Sequence, residues 1–372
     1  MGVVKGWVDS GNDVEFLCYY RAPIEDYRVI KPTVLGFSPL FYPLNWLYEN
    51  VIKRNDPAKT AFKINHGFPP ILELSKMLKK MKPDVVIMRD RTLYSIVTYH
   101  YCQKYGYKSI LYYQSPLWNY ANRSNDFIHR FVRNNTPKYC MTPVMGKEEA
   151  GRVILPNTFF VPFVVNPQIS PEKKSYFRDN SINILSIGKF EPRKHHIMLI
   201  KVIREIEQLI PDEHFKLTII GEASGDLQKK HYSEVKKYVN DNNLEKLVNI
   251  VTNVPRSEVD RYYENTDLFV IPSTKENASI SQLEAMSFSI PVICSDTNGS
   301  ECYVDDGVNG YIFKDCDATD LKEKILKIVS KRNKLVQMGA ESYRLVVQKY
   351  SFDNYRDGIN KILKAMEEGR SR

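Results

Sequence analysis

At 372 residues the chain is long enough for two domains of ordinary size. With 43% hydrophobic and 26% charged residues it can bury a sizeable core, which excludes disordered, collagen-like and disulfide-dense proteins. Its six cysteines lie scattered, without a C-x-x-C pair or histidines at ligand spacing, so we expect reduced thiols in a soluble cytoplasmic protein and no zinc site. No apolar run reaches the roughly 18 residues of a membrane-spanning helix.

The excess of positive charge lies entirely in the first half of the chain. Residues 1–175 carry 24 Lys and Arg against 14 Asp and Glu, whereas residues 176–372 carry 29 against 30. A basic domain suits an anionic partner such as a phospholipid surface, a phosphorylated lipid or nucleic acid. A lysine-rich soluble surface explains the excess equally well. We expect no nucleic-acid partner, because the chain has no recognised nucleic-acid-binding motif.

The first half predicts an α/β domain with irregular spacing. Strands are expected at 14–18, 85–88 and 109–113, and helices at 72–81 and 93–105. Segments 40–54 and 127–133 mix aromatic residues with cations, which is typical of amphipathic helices that either pack on a sheet or lie at a membrane interface. The polar stretch 166–181 carries two prolines and predicts the boundary, so the first domain is 1–170.

The second half alternates apolar strands with amphipathic helices, which predicts a doubly wound parallel sheet over 178–350. Strands are expected at 183–187, 216–220, 248–252, 268–271 and 291–294. Helices are expected after residue 194, at 227–239, after Pro255, at 279–288 and over most of the chain beyond Gly310. Residues 351–372 should form a helix that packs back toward the first domain. Two such domains place a cleft between the carboxyl ends of their strands, where ligands usually bind.

The strongest motif is P-S-T-K-E-N-A-S-I-S-Q-L-E-A-M at 272–286, between a strand and a helix. Glu276 and Glu284 stand eight positions apart, so both carboxylates can face a ligand. The amides of 277–280 lie at a helix N-terminus and can bind an anion. The alternative is a simple helix start, with Glu276 favoured by the helix dipole and Glu284 solvated.

A second motif, I-G-K-F-E-P-R-K at 187–194, again joins a strand to a helix. Gly188 lets the backbone approach a ligand, and Lys189 and Lys194 would place charges over a diphosphate. Taken alone, the segment is better interpreted as a plain basic loop. The chain contains no phosphate-binding G-x-x-x-x-G-K-[ST] loop and no complete G-x-G-x-x-G fingerprint.

In this order and spacing, the two motifs resemble the retaining glycosyltransferases of family 4, which have the GT-B fold. Further matches are N-T-D-L-F-V-I-P-S at 265–273, L-E-A-M-S-F-S-I-P-V-I at 283–293 and D-D-G-V-N-G-Y-I at 305–312. The resemblance covers about 180–365 closely and 1–165 loosely. It implies two Rossmann-like, doubly wound α/β domains that face a cleft.

The resemblance also implies roles for individual residues on the donor side. Lys189 and Lys194 match the basic pair that holds the nucleotide diphosphate, Glu276 the acid that contacts the donor sugar, and Glu284 the acid that binds the ribose hydroxyls. The donor is then a UDP- or GDP-linked sugar, and neither a metal nor another cofactor is needed. The implied donor-binding set is Gly188, Lys189, Lys194, Glu276, Ala278, Ser279, Ile280 and Glu284, of which Glu276, Lys189 and Lys194 are catalytic candidates.

On the acceptor side the candidates are Arg89, Arg91 and Gln114. The two arginines follow a predicted strand and either bind an acceptor phosphate or form a local ion pair. Gln114 stands where the family often has a histidine. The resemblance implies a lipid-linked saccharide acceptor and cell-surface polysaccharide synthesis. The basic first half and segments 40–54 and 127–133 predict in addition that this cytoplasmic protein rests on the anionic inner face of the plasma membrane.

Three features depart from the family pattern or compete with it. Segment 11–14 looks like the end of the family's first helix, so the chain is expected to lack the first strand and its Gly-rich loop. This makes a catalytically impaired donor-binding remnant the alternative function. Asp315 and Asp317 form a D-x-D pattern, which we interpret as a helix N-cap region and not as a metal site. His195 and His196 are expected in the first turn of a helix.

Overall fold

The computed structural model describes residues 2–18, 30–52, 66–120 and 127–370. The chain divides into two compact units. The first comprises 1–143, 147–161 and 355–372, and the second comprises 144–146 and 162–354. The predicted linker 166–181 thus belongs to the second unit, and the end of the chain belongs to the first.

The first unit is built on a four-stranded parallel sheet in the order β3-β4-β6-β8. A parallel pair, β1-β2, and an antiparallel pair, β5-β7, complete its described strands. The strands are β1 Leu17–Cys18, β2 Thr33–Val34, β3 Val85–Arg89, β4 Lys108–Tyr112, β5 Trp118–Tyr120, β6 Cys140–Thr142, β7 Arg152–Ile154 and β8 Thr158–Phe160. The helices are Gly2–Asp9, Phe41–Leu47, Ile71–Met81, Leu93–Tyr105 and Phe127–Asn134, with a π-helical turn at Tyr48–Ile52.

The predicted elements of this unit are present, with one strand much shorter than expected. Strand 14–18 is reduced to Leu17–Cys18. The helix Leu93–Tyr105 lies where the sequence places it, because its ends carry clear signals: the Thr92 hydroxyl accepts from the Ser95 amide, and Gly106 ends the helix at φ 78°. The last helix, Phe352–Arg370, reaches this unit through a hydrogen bond of 2.9 Å from the Tyr139 hydroxyl to the Ala365 carbonyl.

The second unit contains a six-stranded parallel sheet in the order β11-β10-β9-β12-β13-β14. Its strands are β9 Ser181–Ile187, β10 His214–Gly221, β11 Val248–Thr252, β12 Leu268–Ile271, β13 Val292–Ser295 and β14 Gly310–Phe313. The helices are His196–Leu209, Asp226–Asp241, Arg256–Glu264, Ile280–Ser287, Ala318–Val329 and Arg332–Lys349. Apolar strand residues such as Ile184, Leu217 and Val270 are completely buried, as a parallel sheet covered on both faces requires.

β14 is the only described strand of this unit that the sequence analysis did not predict. It consists of four residues, and it approaches β13 closely. A Cβ on Gly310 would stand 1.8 Å from the Val292 carbonyl oxygen, so glycine is required at this contact.

The strand order fixes where a ligand can bind in the second unit. Numbered along this unit, the order is 3-2-1-4-5-6, so the chain direction across the sheet reverses between β9 and β12. Ligands of open α/β sheets bind outside the carboxyl ends of the strands at such a reversal. The loops after β9 and β12 carry the two motifs found in the sequence.

Candidate active site

Lys194 and Glu276 meet at this reversal. Lys194 ends the short 3-10 turn Pro192–Lys194 after β9, and its Nζ contacts Glu276 Oε2 in the loop after β12. The two side chains are only 8% and 15% exposed. A Cβ on Gly188 would stand 3.2 Å from Lys194 Cε, so glycine leaves room for the buried lysine. The Thr274 amide donates to the Arg193 carbonyl over 2.8 Å and ties the two loops together.

Arg193 adds a second cation to this pair. Its Nη1 lies 2.7 Å from Glu276 Oε2, and its Nε lies 2.8 Å from Glu191 Oε2. Burial acts to raise the pKa of Glu276, but hydrogen bonds and charges from Lys194 and Arg193 outweigh it and hold that pKa below its ordinary value. Glu276 is therefore a carboxylate at neutral pH. Lys194 and Arg193 offset the charges of Glu276 and Glu191, and both are cations of the kind that form charge-assisted hydrogen bonds to phosphate.

Lys189 lies in different surroundings from Lys194. Its Nζ is 3.4 Å from Glu222 Oε2, and both side chains are about half exposed. The structure thus places the two predicted phosphate-binding lysines in the same loop but in separate ion pairs. Lys189 is the solvent-exposed member of the two.

Glu284 lies in the helix Ile280–Ser287 and has two partners. Arg256 Nη2 is 3.1 Å from Oε1, and the Tyr263 hydroxyl donates to Oε2 over 3.0 Å. Burial raises the pKa of Glu284 above its ordinary value, and the charge of Arg256 opposes this only in part. Burial and the neighbouring Glu284 hold the pKa of Tyr263 well above 10, so the phenol remains a donor.

The start of this helix differs in part from the expected anion site. The Ser279 amide donates to Ser300 Oγ, so it is already used within the protein. The Ser279 hydroxyl pairs with Ser281 Oγ at 2.7 Å. Ala278 is half-buried, and Ile280 is exposed at the first helical position, where an amide has no partner within the helix.

The acceptor-side candidates lie in the first unit, at the ends of β3 and β4. Arg89 Nε is 3.4 Å from Asp90 Oδ2, which is the local ion pair considered as its alternative. Arg91 lies over the Tyr113 ring, with its guanidinium carbon 5.5 Å from the ring centre. Gln114 Nε2 donates to the Tyr112 hydroxyl over 3.0 Å.

The sequence analysis missed three side chains that contact the predicted glutamates, namely Arg193, Arg256 and Tyr263. Each acts on a predicted glutamate from a different part of the chain. The interpretation of Asp317 is confirmed, since its side chain accepts from the Thr319 and Asp320 amides at the start of a helix.

Many exposed apolar side chains lie in the two segments that mix aromatic residues with cations. In segment 40–52 the exposed ones are Leu40, Tyr42, Leu44, Trp46, Leu47, Val51 and Ile52. Phe127 and Phe131 are exposed in the helix Phe127–Asn134. Lys53 and Arg54 lie outside the described residues. Within the part of the chain that the structure describes, no helix is long and apolar enough to cross a membrane.

The site lies in a part of the chain that is similar to a known protein family. Residues 169–345, which contain both motifs, match the model of the family "Glycosyl transferases group 1". This part of the second unit is therefore similar to group 1 glycosyltransferases. The Escherichia coli UDP-Gal:alpha-D-GlcNAc-diphosphoundecaprenol alpha-1,3-galactosyltransferase is 30% identical over 179 residues, 44% of this chain and 43% of that protein. The chain spans about half the length of the curated relatives it matches.

Solved structures with low identity establish the fold of the chain. Sucrose-phosphate synthase from Thermosynechococcus elongatus superposes with a TM-score of 0.68 at 16% identity, over 99% of this chain and 92% of that one. The Anabaena protein HepE in complex with UDP superposes with a TM-score of 0.61 at 14% identity, over 80% and 82% of the two chains. The fold is GT-B, with two Rossmann-like units, as the sequence predicts.

Proposed function

We propose that this protein transfers a sugar from a nucleotide-sugar donor to a lipid-linked saccharide, with retention at the anomeric carbon, in cell-surface polysaccharide synthesis. The observation that carries the proposal is the buried Lys194–Glu276 pair with Arg193, at the strand-order reversal of a group 1 glycosyltransferase domain. Retention rests on the resemblance of the element 276–284 to retaining family 4.

The two cations of this site explain how the donor's leaving group is stabilised. When the bond between sugar and diphosphate breaks, negative charge grows on the departing phosphate. Lys194 and Arg193 are already placed on fixed loops, so they can accept this charge without rearrangement. Lys189 is exposed enough to move from Glu222 to the phosphate. These side chains do what a divalent metal does in other enzymes, and we therefore propose metal-independent transfer.

The two glutamates have separate roles in this proposal. Glu276 stays ionised and accepts hydrogen bonds from hydroxyls of the donor sugar. Glu284, held by Arg256 and Tyr263, accepts from the ribose hydroxyls. The donor is UDP- or GDP-linked. A structural neighbour solved with UDP supports the first of these bases.

The acceptor belongs to the first unit in this proposal. Arg89, Arg91 and Gln114 lie at the carboxyl ends of its parallel strands. The E. coli relative is named as a galactosyltransferase of GlcNAc-diphosphoundecaprenol, and this supports a lipid-linked saccharide as the acceptor here. The exposed aromatic residues of 40–52 support a peripheral position on the inner face of the plasma membrane.

The proposal is tested by incubating the full chain with labelled nucleotide sugars and undecaprenyl-linked saccharides. We expect transfer from one UDP- or GDP-sugar, a product with the donor's anomeric configuration, and full activity in excess EDTA. Glu276→Gln should lower transfer strongly, whereas Glu258→Gln, an exposed carboxylate of the same unit, should not.

Three results decide against parts of the proposal. Equal rates for Glu276→Gln and the parent would exclude the proposed site. Donor binding without transfer or donor hydrolysis would favour the impaired donor-binding remnant. Loss of activity in EDTA, restored by Mg²⁺ or Mn²⁺, would exclude metal-independent transfer.

A further inference from the structure

Three side chains of metal-binding type converge beside the donor loops. His195 Nε2, the Asp315 carboxylate and Cys316 Sγ all lie within 4.8 Å of one another. Sγ and Nε2 are 3.6 Å apart. The Thr274 hydroxyl lies 2.6 Å from Nε2, 2.8 Å from Asp315 Oδ1 and 3.4 Å from Sγ, so the three atoms surround this hydroxyl, which an ion bound between them would displace to one side.

The spacing and the atom types fit a tetrahedral zinc site. With Zn–S near 2.3 Å and Zn–N near 2.0–2.1 Å, tetrahedral geometry places sulfur and nitrogen about 3.5–3.6 Å apart. The observed Sγ–Nε2 separation already has this value. A set of one sulfur, one imidazole nitrogen and one carboxylate suits Zn²⁺ or Co²⁺, and it does not suit Mg²⁺ or Ca²⁺.

The backbone holds two of these residues in a conformation that they rarely adopt. His195 has φ 49° and Cys316 has φ 59°, both in the left-handed region. Such residues persist only where their surroundings fix them, and they cluster at ligand sites. The Asp315 amide donates to Asp296 Oδ1 over 2.9 Å, and Asp317 caps the next helix, so the second loop is anchored on both sides.

We propose that His195, Asp315 and Cys316 bind one divalent cation of the zinc class, with water as the fourth ligand. Cys316 binds as a thiolate and releases its proton to solvent. His195 binds through unprotonated Nε2, with the ring proton on Nδ1, and the Thr274 hydroxyl becomes an outer hydrogen-bond partner. Cys316 is exposed, which gives the ion a path of entry.

The bound ion would tie the loop after β9 to the loop after β14. His195 directly follows Lys194, and Thr274 stands two positions before Glu276. The ion would therefore lie beside the loops that carry the buried pair, without touching either member of it. This site does not depend on the proposed transfer reaction, and its test needs no sugar nucleotide.

The test uses the full chain, treated with EDTA, desalted and titrated with Co²⁺. We expect one equivalent to bind with a thiolate-to-cobalt charge-transfer band, Zn²⁺ to displace it, and Zn²⁺ to raise the midpoint of thermal unfolding. Cys316→Ser and His195→Asn should each weaken binding by more than the ~10–100-fold cost of a lost outer-shell partner. Asn tolerates the left-handed backbone of position 195.

The control is Cys18→Ser, which removes a half-buried thiol of the first unit and should leave the band unchanged. Circular dichroism of each variant checks that it folds. The absence of a charge-transfer band in the parent, or an equal band in Cys316→Ser, would overturn the proposal. A stabilisation by Mg²⁺ equal to that by Zn²⁺ would also overturn it, since this ligand set discriminates between the two ions.

Discussion

Lys194 carries a buried charge whose main partner is the Glu276 carboxylate. Its proposed role in phosphate binding can therefore be measured by substitution. Double substitution of Lys189→Ala and Lys194→Ala in the full chain should weaken binding of UDP or GDP several-fold to a hundredfold. This is the loss expected from charge-assisted contacts to phosphate, about 1–3 kcal/mol. Calorimetry measures the affinity directly.

The control for this double variant is Lys216→Ala. Lys216 is ion-paired with Asp179 at 3.0 Å near the start of β10, at the end of the strand opposite to the ligand. The Lys216→Ala variant should bind nucleotide as the parent does. Equal affinities for the parent and the double variant would contradict the phosphate-binding role.

Glu284 should make nucleotide affinity sensitive to mild acid. Its pKa is raised above the ordinary 4.5 of a glutamate, whereas that of Glu276 is lowered. As the pH falls, Glu284 is protonated first and loses its capacity to accept two ribose hydroxyls. We therefore expect affinity to decline already above pH 4.5 in calorimetric titrations. Glu284→Gln should bind nucleotide weakly at neutral pH, and its affinity should not decline further in mild acid. If the affinity of the variant declines as much as that of the parent, the decline belongs to another group.

The sequence identified those site residues that can be recognised from their residue type and their position after a predicted strand. Lys194 and Glu276 follow apolar strands at the ends where ligands bind, and this can be read from the pattern alone. Arg256 reaches Glu284 from 28 positions away, and His195 reaches Cys316 from 121 positions away. Such pairs arise only from tertiary packing. We expected no zinc site because the sequence lacks metal ligands at close spacing along the chain. Such spacing cannot show that His195 and Cys316 come together in the folded structure.

At the scale of elements, burial on both faces made the second unit predictable. The strands predicted at 248–252 and 268–271 agree with β11 and β12 residue for residue. A continuous apolar run between turns is sufficient signal there. β6, β7 and β8 have three residues each, which is too short for any periodicity. The sheet of the first unit was therefore only half predicted.

The helix His196–Leu209 should make the second unit sensitive to acid. His196 is buried against Phe190. Burial lowers the pKa of His196 from 6.5 to about 3, and the nearby charges of His231, Lys194 and His195 act in the same direction. Between these values the unfolded chain binds a proton that the folded chain does not. The free energy of unfolding is thus unaffected above pH 6.5 and falls by at most about 1.4 kcal/mol per pH unit below it.

Urea unfolding at a series of pH values measures this dependence. His196→Gln should flatten it below pH 6.5, whereas His214→Gln, at an exposed position of the same unit, should leave it as in the parent. If His196→Gln retains the parent's slope, the acid sensitivity belongs to other groups.

For the whole molecule, the distribution of charge is the feature that the sequence shows most directly. The basic excess of residues 1–175 and the exposed apolar side chains of 40–52 and 127–131 fall in the same unit. The near-neutral second unit carries the proposed donor site. One unit can therefore rest on anionic lipid while the other remains in water.

This arrangement predicts reversible, salt-sensitive binding to anionic membranes. Each cation near such a surface contributes about 1 kcal/mol, and the attraction decays over a Debye length of about 8 Å at physiological salt. The full chain should sediment with phosphatidylglycerol vesicles at low salt, much less at high salt, and little with neutral vesicles. Equal binding to both kinds of vesicle would exclude an electrostatic mechanism.

A matched pair of charge reversals locates the membrane-binding surface. The first variant changes to glutamate the cations in or beside the exposed apolar segments, Lys53, Arg54, Arg130 and Arg133. The second changes four exposed lysines of the helix Asp226–Asp241, Lys229, Lys230, Lys236 and Lys237. Both variants lose the same net charge, so a non-specific effect of charge would reduce sedimentation equally. We expect only the first to stop sedimenting. Both should bind nucleotide as the parent does, because the first set belongs to the first unit, whereas Lys194, Glu276 and Glu284 belong to the second. The four lysines of the second variant form no hydrogen bond or ion pair with these three residues in the part of the chain that the structure describes.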